Sequence, residues 1–308
     1  MIVAAGEALI DLVPQDSGPA ADGGLAPLAP RLGGGPFNTA VALGRLGSPA
    51  AFFSRVSYDA FGEALLTRLR AAGVDVSWVQ RGTEPTTLAV ASIGADGSAG
   101  YSFYVEGTAD RLFTAPKRLP DGVRAMVFGT CSLALEPGAS AYEELMRRAA
   151  ADGVFTALDP NIRAGLIPDA DAYRARFKSW LPSVALLKLS EDDARWLGGS
   201  PEEWLAAGPA AVVVTRGGAG LSVFTRACGE IAVPGVRVDV VDTIGAGDTV
   251  NAALLHGLAA REALSAAAVA GLGGDAWAAV LGFAARAAAV TCSRAGAEPP
   301  YAGELAEA

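Results

Sequence analysis

Short apolar runs alternate along this chain with longer amphipathic stretches, and that rhythm restricts the fold more than any other feature. Ile2–Ala5, Ala50–Phe53, Ala125–Phe128, Val154–Leu158, Val184–Leu189 and Ala211–Thr215 are too short for helices and read as strands. Thr39–Leu46, Phe61–Ala72, Ala141–Ala151, Ala170–Trp180 and Glu191–Leu197 carry helical spacing. Strands that are apolar throughout are buried on both faces, so the pattern predicts a predominantly parallel central sheet flanked by helices, an α/β fold. Two segments break the rhythm. Leu88–Ile93 and Tyr101–Val105 are extended runs joined by the turn signal Ala95-Asp96-Gly97-Ser98, and Pro14–Pro30 is rich in Pro, Gly and Ala. A hairpin placed between helical units does not easily join a parallel sheet. These segments, about residues 12–31 and 86–106, are therefore expected to project from one edge as a small β-sheet lid.

At 308 residues the length alone suggests two domains of about 150 residues. No repeat or low-complexity linker divides the chain, so the expectation is one domain over 1–308 with the lid as an excursion. With 51% hydrophobic and 19% charged residues there is material for a large core. The net charge of −9 opposes nucleic-acid or anionic-membrane partners. A single histidine, His256, excludes a His-rich zinc site. Cys131, Cys228 and Cys292 are odd in number and far apart, which suits free thiols in a reducing compartment. Met1–Val13 lacks a basic leader and reaches Glu7 and Asp11 early, so a cytoplasmic location is expected. Ala263–Ala285 is long and apolar, but a central Asp275 would cost about 2.5–3.5 kcal/mol in a bilayer. A helix pair packed on the core is expected there instead.

The strongest local motif is Asp242-Thr243-Ile244-Gly245-Ala246-Gly247-Asp248, which feeds a helix over Thr249–Leu258. Glycines at 245 and 247 permit unusual φ and close backbone approach, so successive N–H groups and the helix dipole can hold one anion. Asp248, at the helix start, is placed to take a proton from a hydroxyl beside that anion. The plainer reading, a tight turn with a capping Asp248, stays beside it. A dinucleotide fingerprint fails because position 250 is Val, and no Walker-type phosphate loop surrounds Lys117, Lys178 or Lys188, the only lysines. A second glycine cluster, Gly33-Gly34-Gly35-Pro36-Phe37-Asn38, also precedes a helix. Asn38 there offers a donor and an acceptor, as sugar hydroxyls require, or caps the helix.

These segments, with Val41–Gly47, Asp59–Gly62, Ala71–Val76, Asp159-Pro160-Asn161 and Arg163, Lys188–Glu191, Thr215–Gly220 and Ala287–Ala297, occur in the order of one family. The chain resembles the ribokinase or PfkB family of carbohydrate kinases from end to end. The resemblance implies a ribokinase-like fold and phosphoryl transfer from ATP to a sugar hydroxyl. By it, Asp248 is the catalytic base, and the amides of Gly245, Ala246 and Gly247 form the anion hole. Asp11, Gly33, Gly34, Gly35 and Asn38 match the sugar-binding aspartate and loop, and Arg163 matches an arginine near substrate and phosphates. Tyr101 and Phe103 share one face of the expected hairpin and either shield the sugar or pack the lid's own core. Thr215, Gly217 and Gly220 match the nucleotide loop. Glu191 matches the acid of an N-x-x-E motif that positions hydrated Mg2+, with Lys188 standing where that motif has asparagine. Asp242 matches a position near the family's monovalent-cation site, K+ being the candidate ion.

Fructose is the leading acceptor, since Asp159–Arg163, Lys188–Glu191 and Gly107–Asp110 look most like fructokinases. Ile244 in place of threonine and Pro36-Phe37 in the sugar loop leave 2-keto-3-deoxygluconate, ribose or a nucleoside as alternatives. A sugar- or nucleotide-binding regulator without turnover is the alternative of another class. An exposed lid edge suits pairing into a homodimer. His256, about 12 Å along the helix from Asp248, is read as a packing residue.

Overall fold

The computed structural model describes residues 1–15, 27–93 and 99–306. Its strands are β1 (Ile2–Ala5), β2 (Leu9–Pro14), β3 (Leu28–Gly33), β4 (Ala50–Phe53), β5 (Arg55–Ser57), β6 (Gln80–Gly82) and β7 (Leu88–Ile93). Then come β8 (Ala99–Tyr104), β9 (Ala125–Gly129), β10 (Phe155–Asp159), β11 (Leu186–Ser190), β12 (Ala211–Thr215), β13 (Leu221–Thr225) and β14 (Gly229–Val233). The helices are α1 (Gly35–Arg45), α2 (Ala60–Ala71), α3 (Gly138–Ala151), α4 (Ala170–Trp180), α5 (Glu191–Leu197) and α6 (Pro201–Ala207). After them run α7 (Ala246–Ala259), α8 (Ala266–Ala270), α9 (Gly274–Cys292) and α10 (Ala302–Ala306).

The main sheet runs β14-β13-β12-β11-β10-β9-β1-β4. All its pairings are parallel except the two that add β13 and β14 antiparallel at one edge. Central strands are buried on both faces, as their unbroken apolar runs require. One face packs against α1, α2, α7 and α9, with Trp277 fully buried. The other packs against α3, α4, α5 and α6 around Trp180, Phe177 and Tyr142. Each Leu, Val or Phe so enclosed contributes about 1.5–3 kcal/mol. Ala263–Ala285 forms the expected helix pair, α8 and most of α9. Although α9 is long and apolar enough to cross a membrane, Trp277, Val280, Leu281 and Ala284 belong to the core shared with α7.

The interrupting segments form a second sheet ordered β3-β2-β7-β8. Here β2 pairs parallel with β7, and the other two pairings are antiparallel. It starts at Leu9, before residue 12, because Leu9 and Ile10 are buried while the rest of β2 turns toward the surface. The turn signal at 95–98 and residues 16–26 of the Pro- and Gly-rich segment lie outside the described residues.

Three helix starts come three or four residues before expectation, one of them that of α3 at Gly138 rather than Ala141. The first helix begins at Gly35 with Gly34 as its cap, so Asn38 sits inside its first turn and is not the cap. The late helix begins at Ala246, with Gly245 as its cap. Only Gly245 has the left-handed φ (77°) expected of both glycines; Gly247 is in the helix, where a Cβ would lie 3.0 Å from Lys188 Nζ.

Candidate active site

The carboxyl ends of β1, β9, β10, β11 and β12 and the start of α7 face one crevice, the usual ligand position in open α/β sheets. Gly245 makes the turn into α7, and a Cβ there would lie 2.6 Å from that of Ala297. The Ala246 N–H returns to Thr243 O at 3.3 Å. Among the described residues no acceptor takes the N–H of Gly245 or Gly247, so these two are free for an anion at the positive end of the helix.

Asp248 follows directly and is 7% exposed. Its Oδ2 accepts a hydrogen bond from Asn38 Nδ2 at 2.8 Å. Burial pushes its carboxyl up to about 7, against the pull of the Asn38 bond; Asp159 pushes the same way as burial, and Lys188 and Arg163 oppose it. A carboxylate poised near neutrality is what a general base requires.

Two cavities meet at this helix start. The first, of about 320 Å³, is lined by Asp11, Gly34, Gly35, Asn38, Tyr101, Phe103, Arg163, Gly245, Gly247 and Asp248. The second, of about 490 Å³, is lined by Lys188, Glu191, Thr215, Gly217, Gly220, Ala246 and Gly247. Its far wall is apolar, built from Val236, Val238, Val240, Ala285, Ala288 and Ala289. Asn161, Thr243 and Gly247 line both.

The first cavity collects the residues expected around a sugar. Burial pushes the Asp11 carboxyl up to about 6, while Arg163 pulls it back. Gly33 is not in the wall; it makes room, since a Cβ there would lie 2.1 Å from Asp11 Oδ2. Gly34 needs its φ of 109° to pass Glu7. The rings of Tyr101 and Phe103 stack with centroids 6.1 Å apart on the cavity side, which favours shielding over a separate lid core. Arg163 joins no ion pair among the described residues; its Nη1 is steadied by Asn161 Oδ1 at 2.7 Å.

In the second cavity Glu191 pairs with Arg216 at 3.1 Å. Lys188 is buried against Asp159. Both Asp242 oxygens accept backbone N–H groups, from Ile244 at 3.0 Å and Gly296 at 2.9 Å, and so tie the catalytic turn to the C-terminal loop. His256 packs as expected, bonded to Ser48 Oγ at 2.9 Å and stacked on Phe283.

Sequence reasoning missed Glu7, Thr130 and Asn251, and singled out Asp159 and Asn161 only as part of a motif, without roles of their own. The Glu7 carboxylate, 1% exposed, accepts from Gly35 N–H at 3.2 Å, from Ser132 N–H at 3.1 Å and from the Ser132 hydroxyl. It thereby joins the glycine loop to the turn after β9, and burial pushes it up to about 7. Glu7 and Asp159 sit at or just after strand ends, a signal that was readable. Thr130 and Asn161 are held at φ of 60° and 40°, a region asparagine tolerates but a β-branched threonine does not announce.

A sequence model described as pfkB family carbohydrate kinase matches residues 1–302. The chain belongs to the pfkB family of carbohydrate kinases. This pfkB chain is 41% identical over 280 residues to a fructokinase of Rhizobium leguminosarum bv. trifolii, covering 88% of this chain and 84% of that one. A crystal structure of a Xylella fastidiosa fructokinase with bound ATP superposes with a TM-score of 0.87 at 28% identity, covering 99% of this chain and 97% of that one. A Vibrio cholerae O395 fructokinase in its fructose-, ADP- and calcium-bound form superposes with a TM-score of 0.81 at 25% identity, covering 99% and 97%. The pfkB chain is thus a sugar kinase with the ribokinase-like arrangement of a mostly parallel sheet and a small second sheet.

Proposed function

We infer that this kinase transfers the γ-phosphoryl group of ATP to fructose, giving fructose 6-phosphate. The observation that carries the reading is Asp248 in the wall of the first cavity, directly after Gly247, which lines both cavities. Fructose occupies the first cavity, held by Asp11, Asn38 and Arg163 and by the backbone of Gly34 and Gly35, with Tyr101 and Phe103 over it. ATP lies in the second, its base against the valine and alanine wall and its phosphates along Thr215, Gly217 and Gly220. Asp248 accepts the proton of the attacking primary hydroxyl, and the free amides of Gly245 and Gly247 take up charge on the phosphoryl oxygens. Positioning supplies much of the rate, because both reactants are held in line across one helix start.

No group of three metal-ligating side chains occurs among the described residues, which fits a Mg2+ ion carried by the nucleotide's phosphates rather than by a protein cage. Glu191, bound to Arg216, would steady such an ion through water, and the ion would neutralise phosphate charge. Asp242 is the candidate for a K+ contact, through lone pairs not used by Ile244 and Gly296. Arg163 is the only cationic side chain lining the first cavity among the described residues, which favours a neutral sugar over a carboxylated one. The chain acts as one domain with the small sheet as its lid, whose edges β3 and β8 are where a second copy would pair. Its free cysteines suit the cytoplasm.

The test is kcat/KM for a panel of sugars and nucleosides with ATP and Mg2+, in which fructose should rank first. Asp248→Asn should lower kcat by about 10²–10⁴-fold while sparing fructose binding. A variant turning over at the wild-type rate would refute the base.

A further inference from the structure

Lys188 is a buried cation whose surroundings the transfer step has not yet used. Its Nζ lies 2.8 Å from Asp159 Oδ2, and both side chains are 5% exposed. Asn251 Nδ2 donates to that same oxygen at 2.7 Å. The other oxygen, Asp159 Oδ1, is buried with no partner among the described residues. On its far side Nζ lies against the start of α7, since a Cβ built on Gly247 would be 3.0 Å from it. Gly247 lines both cavities and Lys188 lines the second. The ammonium therefore stands at the passage between donor and acceptor, close against the Gly247 backbone.

A buried ion pair is weak ground for stability alone, because desolvating two charges offsets most of their attraction. Further carboxylates surround the pair: besides Asp159, those of Asp248 and Asp193 act on Lys188. A phosphoryl group entering the passage adds negative charge beside Lys188, the one buried cation there among the described residues. Lysine has three N–H donors on a flexible stem, so one can stay on Asp159 while another turns outward. Asn251 keeps Asp159 Oδ2 bonded throughout.

We propose that Lys188, anchored by Asp159 and Asn251, is a catalytic residue that donates a hydrogen bond to the transferring phosphoryl group as it passes Gly247. The proposal rests on the ATP-to-fructose reading. In that step the sugar oxygen bonds to the γ-phosphorus and the bond to the bridging oxygen of ADP breaks. The hydroxyl proton goes to Asp248, and Lys188 keeps its own protons. Asp159 and Asn251 act as positioning residues.

The experiment compares the wild-type chain with Lys188→Met and with the double variant Lys188→Met/Asp159→Asn, which removes both charges of the pair. Thermal midpoint, kcat, KM for fructose, and equilibrium binding of ATP and of ADP are measured for each. Lys188→Met should lower kcat by about 10²–10³-fold, as loss of a preorganised donor to a charged transition state does. Its KM for fructose should stay within about threefold, and its midpoint should fall because Asp159 is left without its cation. The double variant should regain the midpoint but not kcat. It should also bind ATP about tenfold more weakly than wild type while ADP binding stays within about twofold, since the contact is to the γ-phosphoryl. If kcat returns with the midpoint, or Lys188→Met keeps kcat within threefold, the pair is structural and the proposal falls. If the wild type transfers nothing to fructose, the acceptor reading fails, and the ATP-against-ADP comparison still decides Lys188. Equal loss of both nucleotides, or a wild type that binds neither, overturns it.

Discussion

Asp248 and Asn38 show how one hydrogen bond sets a working pH. The Asp248 carboxyl is raised from its usual value to about 7 by burial, and the Asn38 amide is the strongest influence holding it down. The proposed base works only when ionised, so kcat/KM should fall about tenfold per unit as pH drops below about 7. Asn38→Ala removes a donor to the ionised form, so the acid limb should move to higher pH; a limb that stays put would show that Asn38 does not face the charged oxygen. Stability should respond in the opposite sense. Glu7 and Asp248, raised to about 7, and Asp11, raised to about 6, hold protons in the folded state that the unfolded chain releases nearer pH 4. Their burial therefore costs least at low pH, and the ligand-free protein should lose stability as pH rises from about 5 to about 7. His256, lowered by burial, opposes this as a single group. Thermal midpoints measured across that window check the sign, and Glu7→Gln should flatten the slope.

Strands and helices with strong patterns were readable to the residue. β1, β4, β7, β12, α4 and α5 have the expected bounds because an unbroken apolar run or a clear 3.6-residue period marks each. β3 was not readable: Pro30 interrupts it and most of it is exposed, which only an edge strand tolerates. β13 and β14 depart from the parallel pattern because a three-residue turn, Arg226-Ala227-Cys228, folds them back as an antiparallel pair. The glycines of the catalytic turn were readable as a motif, yet their separate duties were not, since those depend on Ala297 and Lys188, far away in sequence. Gly245→Ala makes that dependence measurable. It places a Cβ 2.6 Å from Ala297 at a φ of 77°, so it should cost about 1–3 kcal/mol of stability and lower kcat at least tenfold. Retention of both would mean the turn relaxes freely.

Across the molecule, the crevice lies at the strand ends of the main sheet, and the small sheet proposed as its lid adds two rings to it. The rings of Tyr101 and Phe103 reach the first cavity from β8, while Tyr104, pointing the other way, is 63% exposed. Replacing both cavity rings by alanine should raise KM for fructose and increase ATP hydrolysis in the absence of transfer, because water then reaches the phosphoryl group. Unchanged coupling of ATP use to sugar phosphate formed would remove the covering role. The small sheet's two parts lie on either side of α1 and α2 in chain order; both segments were anticipated, but only the hairpin half was readable as strands.

Asp242 bonded to Gly296, and Gly245 lodged against Ala297, place the last structured loop of the chain directly on the catalytic turn. Glu7, at the opposite end, buttresses the same crevice. A ribosome must therefore release everything from Glu7 through Ala297 before any ATP can be spent on a sugar. Translation products that stop short of Gly296 should be silent rather than wasteful.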